Sequence, residues 1–187
     1  MVSSLDREPE SPSANSNFNA HINALGLFQF GLVPAIEFGG KNFGIAARLR
    51  LMTTGILSHA VAADTTDDEE FASGIGIGAG VRYYSGKGGN MRGFYVGGGL
   101  EYVSTRVEDT TDDREAYLTT AIIPEFDIGY RWAFGRFLLG LGGMAGYMVV
   151  QSATTEDLSN GQDEFLYPNT AEDTFYAMAV LDLGFFF

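Results

Sequence analysis

Cysteine is absent from the chain of 187 residues. That excludes a disulfide framework, a thiol nucleophile and a zinc–thiolate site. Bases are scarce, with 11 Lys and Arg against 24 acids and a net charge of −13. Binding nucleic acid needs a basic patch for the phosphates, so this balance argues against it. Mean hydropathy is close to zero, which disfavours a bundle of membrane helices. The stretch 137–155 carries no charge, but Gly140, Gly142, Gly143 and Gly146 interrupt it. Glycine is a poor helix former, so this stretch reads as a strand and not as a membrane helix. No apolar h-region stands at the N-terminus, so no signal peptide is visible. Residues 1–16, MVSSLDREPESPSANS, read as a flexible polar tail. That leaves a cytosolic protein, or a mature secreted form carrying an added Met1.

Glycine and aromatic residues are plentiful: 25 Gly, 15 Phe, 9 Tyr and 1 Trp. A helical bundle would be weakened by so much glycine. An apolar content of 45% argues against disorder over most of the chain. The length predicts one domain, and the composition predicts an all-β one.

The net negative charge is confined. Segments 59–72, 104–116 and 152–173 carry −5, −3 and −6, so everything else sums to +1. The three share a word: Thr65-Thr66-Asp67-Asp68, Thr110-Thr111-Asp112-Asp113 and Thr154-Thr155-Glu156-Asp157. Such a spacing fits two strands, a short turn and a long loop, and common loop chemistry explains the word as well as duplication does. Between these segments the pattern has period 2, as strands do. Ile75, Ile77, Ala79, Val81 and Tyr83 share one face in 74–84, and Phe126, Ile128, Tyr130 and Trp132 share one in 124–132. Segments 43–53, 94–102 and 175–187 alternate in the same way. Short Gly-rich breaks at 39–42, 86–92 and 133–136 carry Lys41, Lys87, Arg92 and Arg136. Long acidic loops thus alternate with short basic turns. The pattern predicts eight up-and-down antiparallel strands with all the long loops at one end. The first strand is placed at 17–29, with a short loop near 30–33.

In this register all the strand charges fall on one face: Glu37, Arg48, Arg50, Arg82, Glu101, Glu125, Asp127, Arg131 and Asp182. The other face is aliphatic and aromatic. A soluble barrel would bury the apolar face. A membrane barrel turns it to lipid and keeps the polar face in the lumen. The charged face is also the Gly-rich one, which suits a crowded lumen. Aromatics gather near strand ends, as at a membrane interface. The strands are long enough to cross a tilted path through a bilayer, and a bilayer demands a closed sheet.

The chain resembles the bacterial eight-stranded outer-membrane β-barrels of the OmpA/OmpX/OmpW-like superfamily over residues 17–187. Leu181, Leu183, Phe185 and the terminal Phe187 carry the likeness best, because that alternating end resembles the family's assembly signal. The stretch from Asn23 to Phe43 resembles the opening of small barrels in the same superfamily. The resemblance implies a Gram-negative outer membrane, a removed signal peptide and insertion by the barrel-assembly machinery. It does not imply a single activity.

The nine lumen charges read as a paired network plugging a barrel whose interior is only wide enough for side chains. Asp67, Asp68, Glu69, Glu70, Asp112, Asp113, Glu156 and Asp157 offer oxygens to Ca²⁺ or Mg²⁺, with a solvated anionic surface as the plainer reading. None of these segments has the EF-hand pattern. His59 sits beside Ser58, but adjacent strand residues point to opposite faces, and His21 lies on the lumen face. No enzyme and no resident cofactor are expected. Phe165, Leu166, Tyr167 and Pro168, placed in the longest loop, would cover the mouth or form a knob for a protein partner. The expected protein is a monomeric, non-enzymatic outer-membrane barrel acting structurally or through its acidic loops. A narrow channel for small or hydrophobic solutes is the alternative, and a soluble lipocalin-like barrel is the second.

Overall fold

The computed structural model describes residues 17–29, 31–40, 42–53, 70–86, 91–109, 115–157, 164–168 and 174–187. Nine strands and one helical turn make up these residues: β1 (Phe18–Asn23), α1 (Gly26–Gln29), β2 (Val33–Gly40), β3 (Phe43–Thr53), β4 (Glu70–Tyr84), β5 (Gly93–Asp109), β6 (Glu115–Phe134), β7 (Phe137–Asp157), β8 (Glu164–Pro168) and β9 (Thr174–Phe186). β1 to β7 pair in sequence order, β7 pairs β9, and β9 pairs β1. Every pairing is antiparallel, so eight strands close into an up-and-down barrel. β8 lies outside the closed ring and pairs only the far end of β7.

The register fixes the girth. A line of paired residues starting at Phe18 runs through Phe38, Ile45, Val81, Gly98, Phe126 and Ala145 to Ala177. Phe18 itself meets Phe187 at the seam, where the Phe187 N–H donates to the Phe18 carbonyl. One circuit therefore staggers the strands by ten residues, from 187 to 177. Such a shear tilts the strands by roughly 35–45°, and eight strands enclose a space that side chains can fill.

The two faces separate as the alternation predicts. Glu37, Glu101, Asp127, Arg131 and Asp182 are buried inside, while Phe43, Ile45, Ile77, Val81, Leu100 and Phe126 are exposed outside. Aromatic pairs ring the turn end of the outer face: Phe18–Phe38, Phe43–Tyr83, Tyr130–Trp132 and Phe137–Phe185, with ring centres 4.6 to 5.9 Å apart. Small inner-face residues let large ones fit. A Cβ at Gly44 would collide with the Glu37 carboxylate. The paired Gly129 and Gly142 leave room for the Tyr95 hydroxyl, which would lie 2.7 to 2.8 Å from a Cβ at either. The β6–β7 connection is the two-residue turn Gly135-Arg136, with Gly135 at φ 63°, a left-handed conformation that glycine adopts without strain.

All three acidic segments differ from the sequence reading at their boundaries. β5 runs to Asp109 and β6 starts at Glu115, inside segment 104–116. β4 starts at Glu70, inside 59–72, and β7 runs to Asp157, inside 152–173. Glu156 and Asp157 therefore belong to a strand and not to a loop, as do Phe165, Leu166, Tyr167 and Pro168 of β8. Polar alternation drops below notice outside an apolar band, but Thr and Tyr favour strands, and the ladder continues past the apolar stretch.

The first hairpin also differs. β1 ends at Asn23, not near 29, and a helical turn follows. The Asn23 Oδ1 accepts the N–H of Leu25 (3.2 Å) and of Leu181 (3.1 Å). This local side-chain bond ends the strand, as Asn does at turns. The Phe28 and Gln29 N–H groups then donate to the Leu25 carbonyl, and Gly31 turns the chain at φ 105°. Apolar residues at 25, 27 and 28 match either a strand or a helical turn, so their spacing alone did not decide. As a result the wall is uneven: β1 has 6 residues and β2 has 8, against 20 in β6 and 21 in β7.

Candidate functional site

The nine charges singled out from the sequence all point into the barrel, and the fold brings them together in two groups. Near the turn end, Arg131 of β6 donates through Nη1 to the Glu37 Oε2 of β2 at 2.6 Å. Tyr84 donates its hydroxyl to the other Glu37 oxygen at 2.7 Å. Arg82 of β4 donates through Nε to Asp127 Oδ2 at 2.5 Å. Asp182 of β9 makes no hydrogen bond through Oδ2. Its neighbours there are Arg131 at 3.5 Å, His21 at 3.7 Å and Arg82 at 3.9 Å.

Halfway up the barrel stand two further pairs. Arg50 grips Glu101 with Nε and Nη2, at 2.5 and 2.8 Å, the bidentate fork that makes Arg–carboxylate bonds strong and directional. Arg48 pairs Glu125 at 2.5 Å, and Tyr176 donates to the second Glu125 oxygen at 3.3 Å. Each pair joins two different strands, so the network braces the wall from within.

Several partners were not named from the sequence. Tyr84 and Tyr95 lie under guanidinium groups: Arg82 sits 4.9 Å from the Tyr95 ring centre and Arg131 sits 5.2 Å from that of Tyr84. These are cation–π contacts, which strengthen when desolvated. The strand alternation that turns Tyr83 and Phe175 outward turns Tyr84 and Tyr176 inward, so those two were legible. Met144 and Met178 take the second Nη of Arg48 and Arg50, at 3.7 and 3.8 Å. Met91 had no sequence signal. It sits at φ 51° in the β4–β5 connection, fully buried, and accepts a hydrogen bond from Asn19 Nδ2. Met91 packs with Tyr84, Tyr95, Leu138 and Phe186 to fill the turn-end mouth. Above the ion pairs, Val103, Ala121 and Ile123 pack with Met148 and Tyr176.

The remaining candidates fall elsewhere. Asp67, Asp68, Glu69, Asp112 and Asp113 lie outside the described residues, as do Ser58 and His59. Glu156 and Asp157 stand on the backbone of β7. Among the described residues no group of three or more His, Asp and Glu is arranged to hold a metal ion. Phe185 and Phe187 are exposed on the outer face at the turn end, and Leu183 is half-buried on the same face.

What this site can do chemically follows from its pairing. Carboxylates and guanidinium groups neutralise one another across the bore, aromatic and thioether groups fill gaps between them, and one apolar cluster lies on each side of the ion pairs. Such an arrangement ties strands together across the bore. Comparisons with protein-family models, with curated proteins and with solved structures each found no match to this chain.

Proposed function

We propose that the protein is an integral outer-membrane β-barrel with a plugged lumen, serving as a structural or surface-interaction protein through its acidic loop end. One observation carries this reading: the closed barrel has its charges inside and its large apolar side chains outside. Ile77, Phe43, Ile45 and Phe175 are each more than 60% exposed, whereas monomeric soluble proteins seldom expose a continuous apolar belt. On β9 the outward aromatics Phe175 and Phe185 mark the ends of the belt. At about 3.4 Å per residue and a tilt near 40°, the rise between them is about 25 Å, the height of the apolar band of an outer-membrane barrel. Closure supports the reading too, since an open edge in lipid leaves backbone groups unsatisfied. The acidic segments at 59–72, 104–116 and 152–173 would then face the exterior, and Leu183, Phe185 and Phe187 would be read by the assembly machinery.

Refolding the purified chain with and without lipid vesicles tests the proposal. We expect a protease-resistant, heat-modifiable form only with detergent or vesicles. Clean folding to a monomer in plain buffer would overturn it in favour of a soluble ligand-binding barrel. Planar-bilayer recording addresses the lumen. The ion pairs predict no steady conductance, and sustained openings would favour the narrow-channel reading.

A further inference from the structure

Between the turn-end charges and the mid-barrel pairs the side chains leave a small internal space. About 20 Å³ of it is open to a water molecule. Its polar lining is His21, Asn23, Arg48, Arg50, Arg82 and Asp182, and the thioethers of Met144 and Met178 border it. An apolar cavity of this size would stay dry. A polar one holds a water molecule when about 10–15 Å³ is open and two to four polar partners converge.

The partners here are short of hydrogen bonds. Asp182 Oδ2 and Arg82 Nη1 are both buried and neither makes one. They lie 3.9 Å apart, beyond direct bonding. His21 adds a constraint. Asn19 Nδ2 donates to Met91, which turns Asn19 Oδ1 toward His21 Nδ1 at 2.8 Å. An amide oxygen only accepts, so Nδ1 carries the hydrogen and Nε2 of the neutral ring is an acceptor. That Nε2 faces the Asp182 carboxylate at 3.7 Å. Two acceptors thus face one another and call for a donor beside them, with an unused guanidinium hydrogen close by.

We propose that one water molecule occupies this space, donating to Asp182 Oδ2 and His21 Nε2 and accepting from Arg82 Nη1. Water is the chemical class that fits. An anion would be repelled by Asp182 and by the Nε2 lone pair, and a metal cation would be repelled by Arg82. The water joins β1 and β9, the strands that meet at the seam, to β4 across the bore. It is an internal structural site within the turn-end charge group, bordering the mid-barrel pairs, and is independent of whether lipid surrounds the barrel.

The test uses the full chain refolded in detergent micelles with ¹⁵N-labelled histidine, and His59→Gln to assign the two rings. We expect His21 to show a hydrogen on Nδ1 alone and magnetisation transfer from a long-lived water to the ring. A ring protonated on both nitrogens, or no transfer from water, would overturn the site. Saturable shifts of the His21 signals on adding bromide would also overturn it, by showing an anion there. Ala46→Val provides an independent arm, because Ala46 is buried against the same space. Displacing a bound water should abolish the transfer and lower the urea midpoint. Filling a dry cavity would raise the midpoint and refute the proposal. If Ala46→Val does not fold, the wild-type spectra decide alone.

Discussion

Arg131 and Glu37 stand 94 positions apart in sequence and meet inside the barrel at 2.6 Å, with both side chains fully buried. Their strands, β6 and β2, are not neighbours in the sheet. The contact therefore forms only when the sheet curls shut, so it reports closure and not local pairing.

Glu37→Ala should be among the most damaging single changes. It leaves Arg131 buried without its carboxylate and removes the acceptor of the Tyr84 hydroxyl. Breaking a buried pair from one side costs about 3–5 kcal/mol. Urea titration followed by Trp132 fluorescence measures it. The double change Glu37→Met with Arg131→Met, which removes both charges, should cost less than Glu37→Ala. A double variant as unstable as the sum of the two single ones would contradict this pairing.

Gly44→Ala should be costly only while Glu37 is present, because the added Cβ would meet the Glu37 carboxylate. In a Glu37→Ala background the same change should be nearly neutral. A double-mutant cycle reads the difference, and neighbours of this kind couple by about 0.5–3 kcal/mol. Strict additivity would show that the glycine does not serve that carboxylate.

Ile77→Arg and Phe43→Arg separate a lipid-facing belt from a wet surface. Ile77 is exposed near the middle of the outer band and Phe43 lies in the turn-end aromatic ring beside Tyr83. In a bilayer, arginine near the midplane costs about 2–4 kcal/mol and near the interface about 0–1 kcal/mol. Refolding titrations in vesicles should therefore rank Ile77→Arg well below Phe43→Arg. Equal, small effects at both sites would argue for solvent on this face.

Asn23→Ala tests the first hairpin. The substitution removes the oxygen that accepts both the Leu25 and the Leu181 N–H. Loss of net hydrogen bonds at about 0.5–1.5 kcal/mol each should lower the unfolding midpoint. It should also raise amide exchange at Leu181 before that at Leu139, which lies on β7, one strand further from β1. Unchanged exchange at Leu181 would mean that Asn23 does not anchor this end of β1.

Much of the fold was legible because a strand repeats every two residues. Placing Ile77 outward and Gly78 inward needs no tertiary information, and the same holds for the nine charges. The short basic turns and long acidic segments gave the up-and-down order. The first hairpin was not legible, since Leu25, Leu27 and Phe28 suit a strand or a helical turn equally. The Asn23 contact that chooses between them comes from Leu181, at the other end of the chain. Strand ends inside the acidic segments were missed for a related reason. Once a strand leaves the apolar band, no burial contrast marks its continuation.

Periodicity and composition alone therefore set the strand order, the inward and outward faces, and the set of charges that would share the interior. These follow from chain geometry, which alternates whatever the partner. Only the tertiary structure decided who pairs with whom: Arg50 with Glu101, Arg82 with Asp127, Arg131 with Glu37, and Asp182 left to share its surroundings with His21. Those choices depend on the ten-residue stagger around the ring. Stagger is a property of the closed sheet, and no single strand carries it.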